Sequence, residues 1–205
     1  MRDREYYLDN LRNNEKKLIL ELEELIFIES MSFYRDKDIH WLSAPVTTGT
    51  ISSPMGLGSD SLPVEIYLDG RKTYLADSMQ FLLEYGCRLF KNGCWYIMPT
   101  FRGEDVDKRH LKQFFHSEAE VPGNLDDTMN LVNEYIKHLL RKIQVVIGDQ
   151  KHLNQVIEHD IPRVTFYEAE KILGRENIEH RKTWRNLTRD NDQKLIEYFG
   201  GPVWV

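Results

Sequence analysis

Apolar positions near the start of the chain recur at helical spacing. From Asn13 to about Ser32, Leu18, Leu22, Leu25, Ile26 and Phe27 fall on one broad face, with Glu21, Glu23 and Glu24 opposite. Ile19, Leu20 and Ile28 widen that face beyond the needs of a single core contact, which predicts a long helix packed on two sides, one of them against a partner subunit. Ile39 to Val46 reads as a strand broken at Pro45, hence an edge or interface strand. Positions 47–63 are rich in Gly, Ser and Thr, with Gly49, Pro54, Gly56 and Gly58, and predict a mobile loop over a site. No Gly-Lys-Ser/Thr follows them, so they are not a phosphate-binding P-loop. Strand-like runs then flank Asp69-Gly70, a hairpin signal. A helix is predicted from Ser78 to Phe90, and antiparallel strands at 95–101 and 113–120.

After Pro122-Gly123 the period changes to 3.6. Met129, Leu131, Val132, Tyr135, Ile136, Leu139 and Leu140 predict a helix over 125–146, and a short helix follows at 151–158. Thr165 and Glu168 form a capping-box pattern that opens another helix. A last helix, 190–199, stops at Gly200-Gly201-Pro202, and Val203-Trp204-Val205 reads as the start of a strand. The sum is an α+β fold, an antiparallel sheet flanked by helices.

Composition narrows the class. The chain has 205 residues, 41% hydrophobic and 29% charged, which fits one soluble globular domain. A net charge of −6 argues against a broad nucleic-acid footprint, although Arg181, Lys182, Arg185 and Arg189 form a local basic cluster, read as a solvated helix face. The two cysteines, Cys87 and Cys94, match no zinc spacing and suit buried reduced thiols. With no apolar leader and no membrane-spanning run, the expectation is a cytoplasmic protein without a membrane partner.

Candidate chemistry concentrates between Phe101 and Glu120. Arg102 and Glu104 are two apart, so an extended segment points them the same way, as a surface ion pair or as a grip on a ligand. Arg109 and His110 add positive charge, and Phe114 offers a ring for a base; guanidinium groups bind phosphate through two parallel hydrogen bonds. Phe114 and Phe115 alternate, so one of them can be core while the other lines a cleft. Gln80 and Glu84 share a helical face, suited either to solvent or to a small polar substrate. Glu118 and Glu120 share a strand face, suited either to solvent or to an ammonium or Mg²⁺. His116 has no visible partner in the sequence and is assigned no role.

The run Phe101-Arg102-Gly103-Glu104, then Arg109-His110-Leu111, Phe114 and Glu118-Ala119-Glu120, resembles the second signature motif of class II aminoacyl-tRNA synthetases of the aspartyl/asparaginyl branch. The long helix through Pro45 resembles the first motif, which in that family builds a homodimer interface. The segment Tyr74 to Gln80 resembles the substrate-side Gln-Ser-Pro-Gln element. The resemblance implies one catalytic domain, with 1–45 at the dimer interface, 46–121 around ATP and the amino acid, and 122–205 helical. It implies that Arg102 binds the α-phosphate of ATP as the catalytic residue. Glu104, Arg109, His110 and Leu111 would lie along the adenosine and phosphates, with Phe114 under adenine. Asp60, Asp77, Ser78, Gln80, Glu84 and Glu118 would face a small amino acid.

Departures qualify the resemblance. Gln-Ser-Pro-Gln is Asp77-Ser78-Met79-Gln80 here, and Leu83 replaces the lysine that reads an aspartate side chain. Asparagine is therefore favoured over aspartate, and Glu84 resembles an asparagine-type pocket. The third signature motif and the acidic Mg²⁺ ligands of the second half are not found, nor is an anticodon-binding barrel. The expectation is half of an active site, acting in a homodimer or with a chain that carries the third motif. Without the barrel, amide-forming chemistry on a small acid, of asparagine synthetase type, is favoured over charging a tRNA. A catalytically inactive, dimerising regulator is the alternative.

Overall fold

The computed structural model describes residues 8, 13–49, 62–106, 110–180 and 185–205. The amphipathic run forms α1 (Asn14–Asp36), capped by the Asn13 side chain, which accepts the Glu15 N–H. It runs four residues beyond the expected end. Two of those added residues, Phe33 and Tyr34, are buried together with Ser30, whereas Ile19, Leu20, Ile28 and Met31 are exposed. The strand expected at 39–46 shrinks to β1 (His40–Trp41), because Pro45 cannot donate to a ladder. Thr47 and Thr48, expected in a loop, form β2 (Thr47–Thr48) instead. The remainder of that loop, 50–61, lies outside the described residues.

β3 (Val64–Leu68) and β4 (Arg71–Leu75) form the expected hairpin, and β2 pairs with the other side of β4. Its two-residue turn places Asp69 and Gly70 at φ 49° and 74°, the left-handed values that a tight hairpin needs. α2 (Gln80–Cys87) is shorter than predicted. β5 (Cys94–Phe101) and β6 (Gln113–Glu120) are antiparallel in the register Cys94↔Glu120 to Phe101↔Gln113. β1 joins β5 in parallel, so β6 is the outer strand of a three-stranded sheet. The Phe101 N–H points away from β6, to the Ala76 carbonyl. Pro99, two residues earlier, lacks a donor on that same side and costs the β5–β6 ladder nothing.

β5 feeds two cores by alternation. Its even residues Cys94, Tyr96 and Met98 pack with Ala76 and Leu83 beneath α2. Trp95 packs on the other side with Phe33, Tyr34 and Ile39, joined by Ile97 and by Leu131 and Tyr135 of α3 (Leu125–Ile147). Gly93 sits at φ 91° just before β5, where a Cβ would run into the Glu120 carbonyl.

α4 (Lys151–Glu158), α5 (Phe166–Leu173) and α6 (Arg189–Phe199) complete the helices, and both halves of the Thr165–Glu168 capping box are present. Ala169, Leu173, Ile178 and Leu195 make a third core there. This region is not purely helical. β7 (Ile178–His180) and β8 (Arg185–Leu187) form a small hairpin, and Trp204 bridges to Arg163. Arg185 therefore lies on a strand, paired with Glu170, and not on a helix face; Arg181 and Lys182 are outside the described residues.

Candidate active site

The even residues of β6 (Phe114, His116, Glu118 and Glu120) lie on the same side of the sheet as the even residues of β5. They carry the chemistry that the sequence singled out. Arg102 is one residue past β5, where its N–H donates to the Lys112 carbonyl at 2.9 Å. Its guanidinium carbon lies 5.4 Å from the centre of the Phe114 ring, a cation–π distance. The Phe114 ring meets His116 edge-on at 4.8 Å.

Arg102 and Glu104 are not on a strand, so alternation is not what orients them. The Gly103 N–H donates to the Leu62 carbonyl at 2.8 Å, and the Leu62 N–H donates to Glu104 Oε1 at 3.0 Å. These two bonds fasten the connector to the entrance of β3, and Arg102 and Glu104 go to different neighbours. Arg102, Gly103, Lys112 and Gln113 line one open pocket with Pro63, Val64, Glu65 and Phe101.

Neither Phe114 nor Phe115 is a core residue. Phe115 is 58% exposed and meets Phe27 edge-on, whereas Phe114 is half-buried on the side of Arg102. The faces alternate as expected, but β6 is an outer strand and its far end has little over it. Leu111 is exposed and His110 half-buried, while Arg109 and Asp60 lie outside the described residues.

A second group sits where β4 leads into α2. Asp77 and Ser78 are buried, and the Ser78 hydroxyl donates to the Glu118 carboxylate at 3.0–3.1 Å. The same Ser78 oxygen accepts the Gln80 N–H at 3.1 Å, and the Met79 N–H donates to the Tyr96 hydroxyl at 2.7 Å. Gln80, Glu118 and Glu120 line an open cavity of about 530 Å³, opposite Leu131, Val132 and Ile136 of α3. Glu84 is exposed beside Glu120, and Leu83, 1% exposed, is a core residue at the cavity floor.

Burial pushes the Glu118 carboxyl up, against the pull of the Ser78 hydroxyl and the Met79 N–H. Burial and then the Glu84 charge push Glu120 up. Burial, helped by the Arg102 charge, holds His116 below its ordinary value. Among the described residues no group of three His, Cys, Asp or Glu side chains is arranged to hold a metal ion.

Among the described residues, three side-chain polar atoms shut off from solvent have no hydrogen-bond partner: Arg102 Nε, Glu104 Oε2 and His116 Nδ1. Buried polar groups are nearly always paired, so each of these atoms calls for an explanation, and a bound group is one. His116 was missed by the sequence reasoning. The signal was present, since it lies midway between Phe114 and Glu118 at a spacing of two.

The hairpin of this register, with Arg102 and Glu104 on the connector past its first strand, is the part of the fold where the sequence resembles the second signature motif of class II synthetases. The chain belongs to the family described as tRNA synthetases class II (D, K and N), which it matches over residues 1–200. Asparagine–tRNA ligase of Desulfitobacterium hafniense is 26% identical over 95% of this chain and 49% of its own length. That of Vibrio parahaemolyticus is 28% identical over 84% of this chain and 44% of its own. The asparaginyl-tRNA synthetase of Pyrococcus horikoshii, solved with asparaginyl-adenylate, shares the fold with a TM-score of 0.81 at 20% identity, over 95% of this chain and 45% of that one. The Entamoeba histolytica enzyme superposes with a TM-score of 0.77 at 18% identity, over 97% and 46%. The chain spans about half the length of the curated relatives it matches.

Among the described residues, no helix is long and apolar enough to cross a membrane.

Proposed function

We propose that this chain binds ATP and a small, asparagine- or aspartate-like amino acid and takes part in activating the acid as an acyl-adenylate. The observation that carries the reading is the unpaired Arg102 Nε and His116 Nδ1 on residues that both meet the Phe114 ring, with the unpaired Glu104 Oε2 two residues along the chain from Arg102. They fit a nucleotide. A guanidinium with a free Nε suits a phosphate oxygen, a carboxylate oxygen without a donor suits an amine or hydroxyl, and a half-buried ring suits a base. ATP supplies the electrophilic α-phosphorus, and Mg²⁺ would shield the phosphates from residues outside this set. The role of this chain's own residues is to align the two reactants and to place the Arg102 charge where negative charge develops. The Pyrococcus horikoshii relative, solved with asparaginyl-adenylate, supports the choice of amino acid.

The complementary residues, those of the third motif, come from a second chain or segment. Self-association runs through α1, whose Ile19, Leu20, Ile28 and Met31 face outward. ATP–pyrophosphate exchange, measured with each amino acid and with the chain alone or with a companion carrying the third motif, tests the reading. Exchange with asparagine or aspartate supports it, and no exchange in any combination sinks the enzymatic role. Calorimetry with ATP separates off the second reading, a dimerising regulator, which the outward apolar face of α1 favours. Binding that Arg102→Ala weakens about 10–100-fold supports a working nucleotide site. No ATP binding by the unaltered chain supports the regulator.

A further inference from the structure

Cys87 and Cys94 are the two cysteines of the chain, and the fold brings them to one place. Cys87 ends α2, Cys94 opens β5, and both pack in the core beneath α2. The Cys87 Sγ donates to the Glu120 carbonyl at 3.0 Å, and the Cys94 Sγ donates to the Leu83 carbonyl at 3.1 Å. The two bonds are reciprocal. Leu83 lies one helical turn before Cys87, so its carbonyl is also the acceptor of the Cys87 N–H. Glu120 is the ladder partner of Cys94. Because the Phe101 N–H points away from β6, the Cys94 N–H, an odd number of residues earlier, points toward the Glu120 carbonyl. Each thiol thus sits against the acceptor of the other's amide. Gly86 leaves the room, since a Cβ there would come within 2.5 Å of the Cys94 Sγ.

Access to the two sulfurs differs. Cys87 is half-buried, whereas Cys94 has no exposed surface. Burial, and behind it the nearby Cys87, pushes the Cys94 thiol up to about 12, so it attacks slowly even when a leaving sulfur is held against it. We propose that Cys87 and Cys94 form a redox-active dithiol, which a small-molecule disulfide such as oxidised glutathione converts to an internal disulfide that clamps α2 to β5. The Cys87 thiolate attacks the oxidant, whose S–S bond breaks with release of one small thiol, leaving a mixed disulfide on Cys87. The Cys94 sulfur then attacks Cys87 Sγ, and its proton leaves with the second small thiol. Two electrons pass from the protein sulfurs to the oxidant, and the two thiol–carbonyl bonds give way to one covalent bond. Neither step needs ATP or an amino acid.

Incubation of the folded full chain with oxidised glutathione tests this, followed by alkylation of the remaining thiols in denaturant and tryptic mass mapping without reductant. Arg88 and Lys91 lie between the two cysteines, so trypsin leaves an internal disulfide as two joined peptides. The expected product is that joined pair, with no thiol left to alkylate. A mixed disulfide that persists on Cys87 through an overnight incubation overturns the proposal, as does a link between two chains or a pair of thiols that both remain alkylatable. Cys94→Ser is expected to stop at the mixed disulfide on Cys87, and Cys87→Ser to leave Cys94 unmodified. Glutathione on Cys94 in the second variant overturns the assigned order of attack. The oxidised chain should melt about 5 °C higher than the reduced one. An unchanged or lower melting temperature would mean that the bond forms only by distorting the fold, and the clamp falls.

Discussion

The two faces of the β5–β6 hairpin handle polar groups in opposite ways. On the side of α1 and α3, hydroxyls are wired into a chain: the Tyr135 hydroxyl donates to Ser117 Oγ at 2.9 Å, Tyr34 lies 3.3 Å from the same oxygen, and Ser30 joins Tyr135 at 2.6 Å while reaching the Ile26 carbonyl. Burial pushes Tyr34 up to about 12, so its hydroxyl stays a donor throughout. On the side of α2, His116 Nδ1 is shut away with no partner, and so are Arg102 Nε and Glu104 Oε2 on the connector just past β5. One sheet thus carries a face that is complete without a ligand and a face that is not. An unpaired buried atom costs about 1–3 kcal/mol, and a fold keeps several together only where a bound group repays them.

The comparison breaks or sharpens by mutation. The largest effect belongs to the complete face: Trp95→Ala removes a ring that is 3% exposed and stacked on Tyr34 at 4.7 Å, and should cost about 3–5 kcal/mol in urea unfolding. Arg102→Ala, on the incomplete face, should leave unfolding unchanged to within about 0.5 kcal/mol while weakening ATP as stated above. A large loss of stability in that variant would mean that Arg102 is structural and the contrast false. Ser117→Ala should cost about 1–2 kcal/mol, because Tyr34 and Tyr135 lose a shared partner.

The smallest effects are in pH. The His116 pKa is depressed in the fold, so its contribution is full above the ordinary 6.5 and fades as pH falls below that value. The Glu118 pKa is raised, so its contribution is full below the ordinary 4.5 and fades as pH rises through its folded value. Glu118→Gln should flatten the second slope and leave the first, as measured by thermal unfolding from pH 4 to 8.

Much of the fold was legible because its signals are local. Asp69-Gly70, the Thr165–Glu168 capping box and the period of 125–146 each dictate structure within a few residues. The short strands β2, β7 and β8 were not, since two or three residues pair only where a distant partner offers an edge. In the site, strand alternation was the wrong reason for the orientation of two side chains: Arg102 and Glu104 are aimed by Leu62, Lys112 and Phe114, contacts that no spacing of two displays. His116 went unassigned because a lone histidine carries no role by itself, and its closeness to Arg102, Phe114 and Glu118 appears only once β5 and β6 pair.

β6 is the outer strand of its sheet, and an open strand edge is a template on which a second copy can add. Half-buried Glu118 and Glu120 stand near that edge, and two such pairs brought together repel. Acidification that neutralises both carboxyls removes the guard. A variant that replaces both with glutamine should therefore precipitate more readily at neutral pH than one that replaces Phe115.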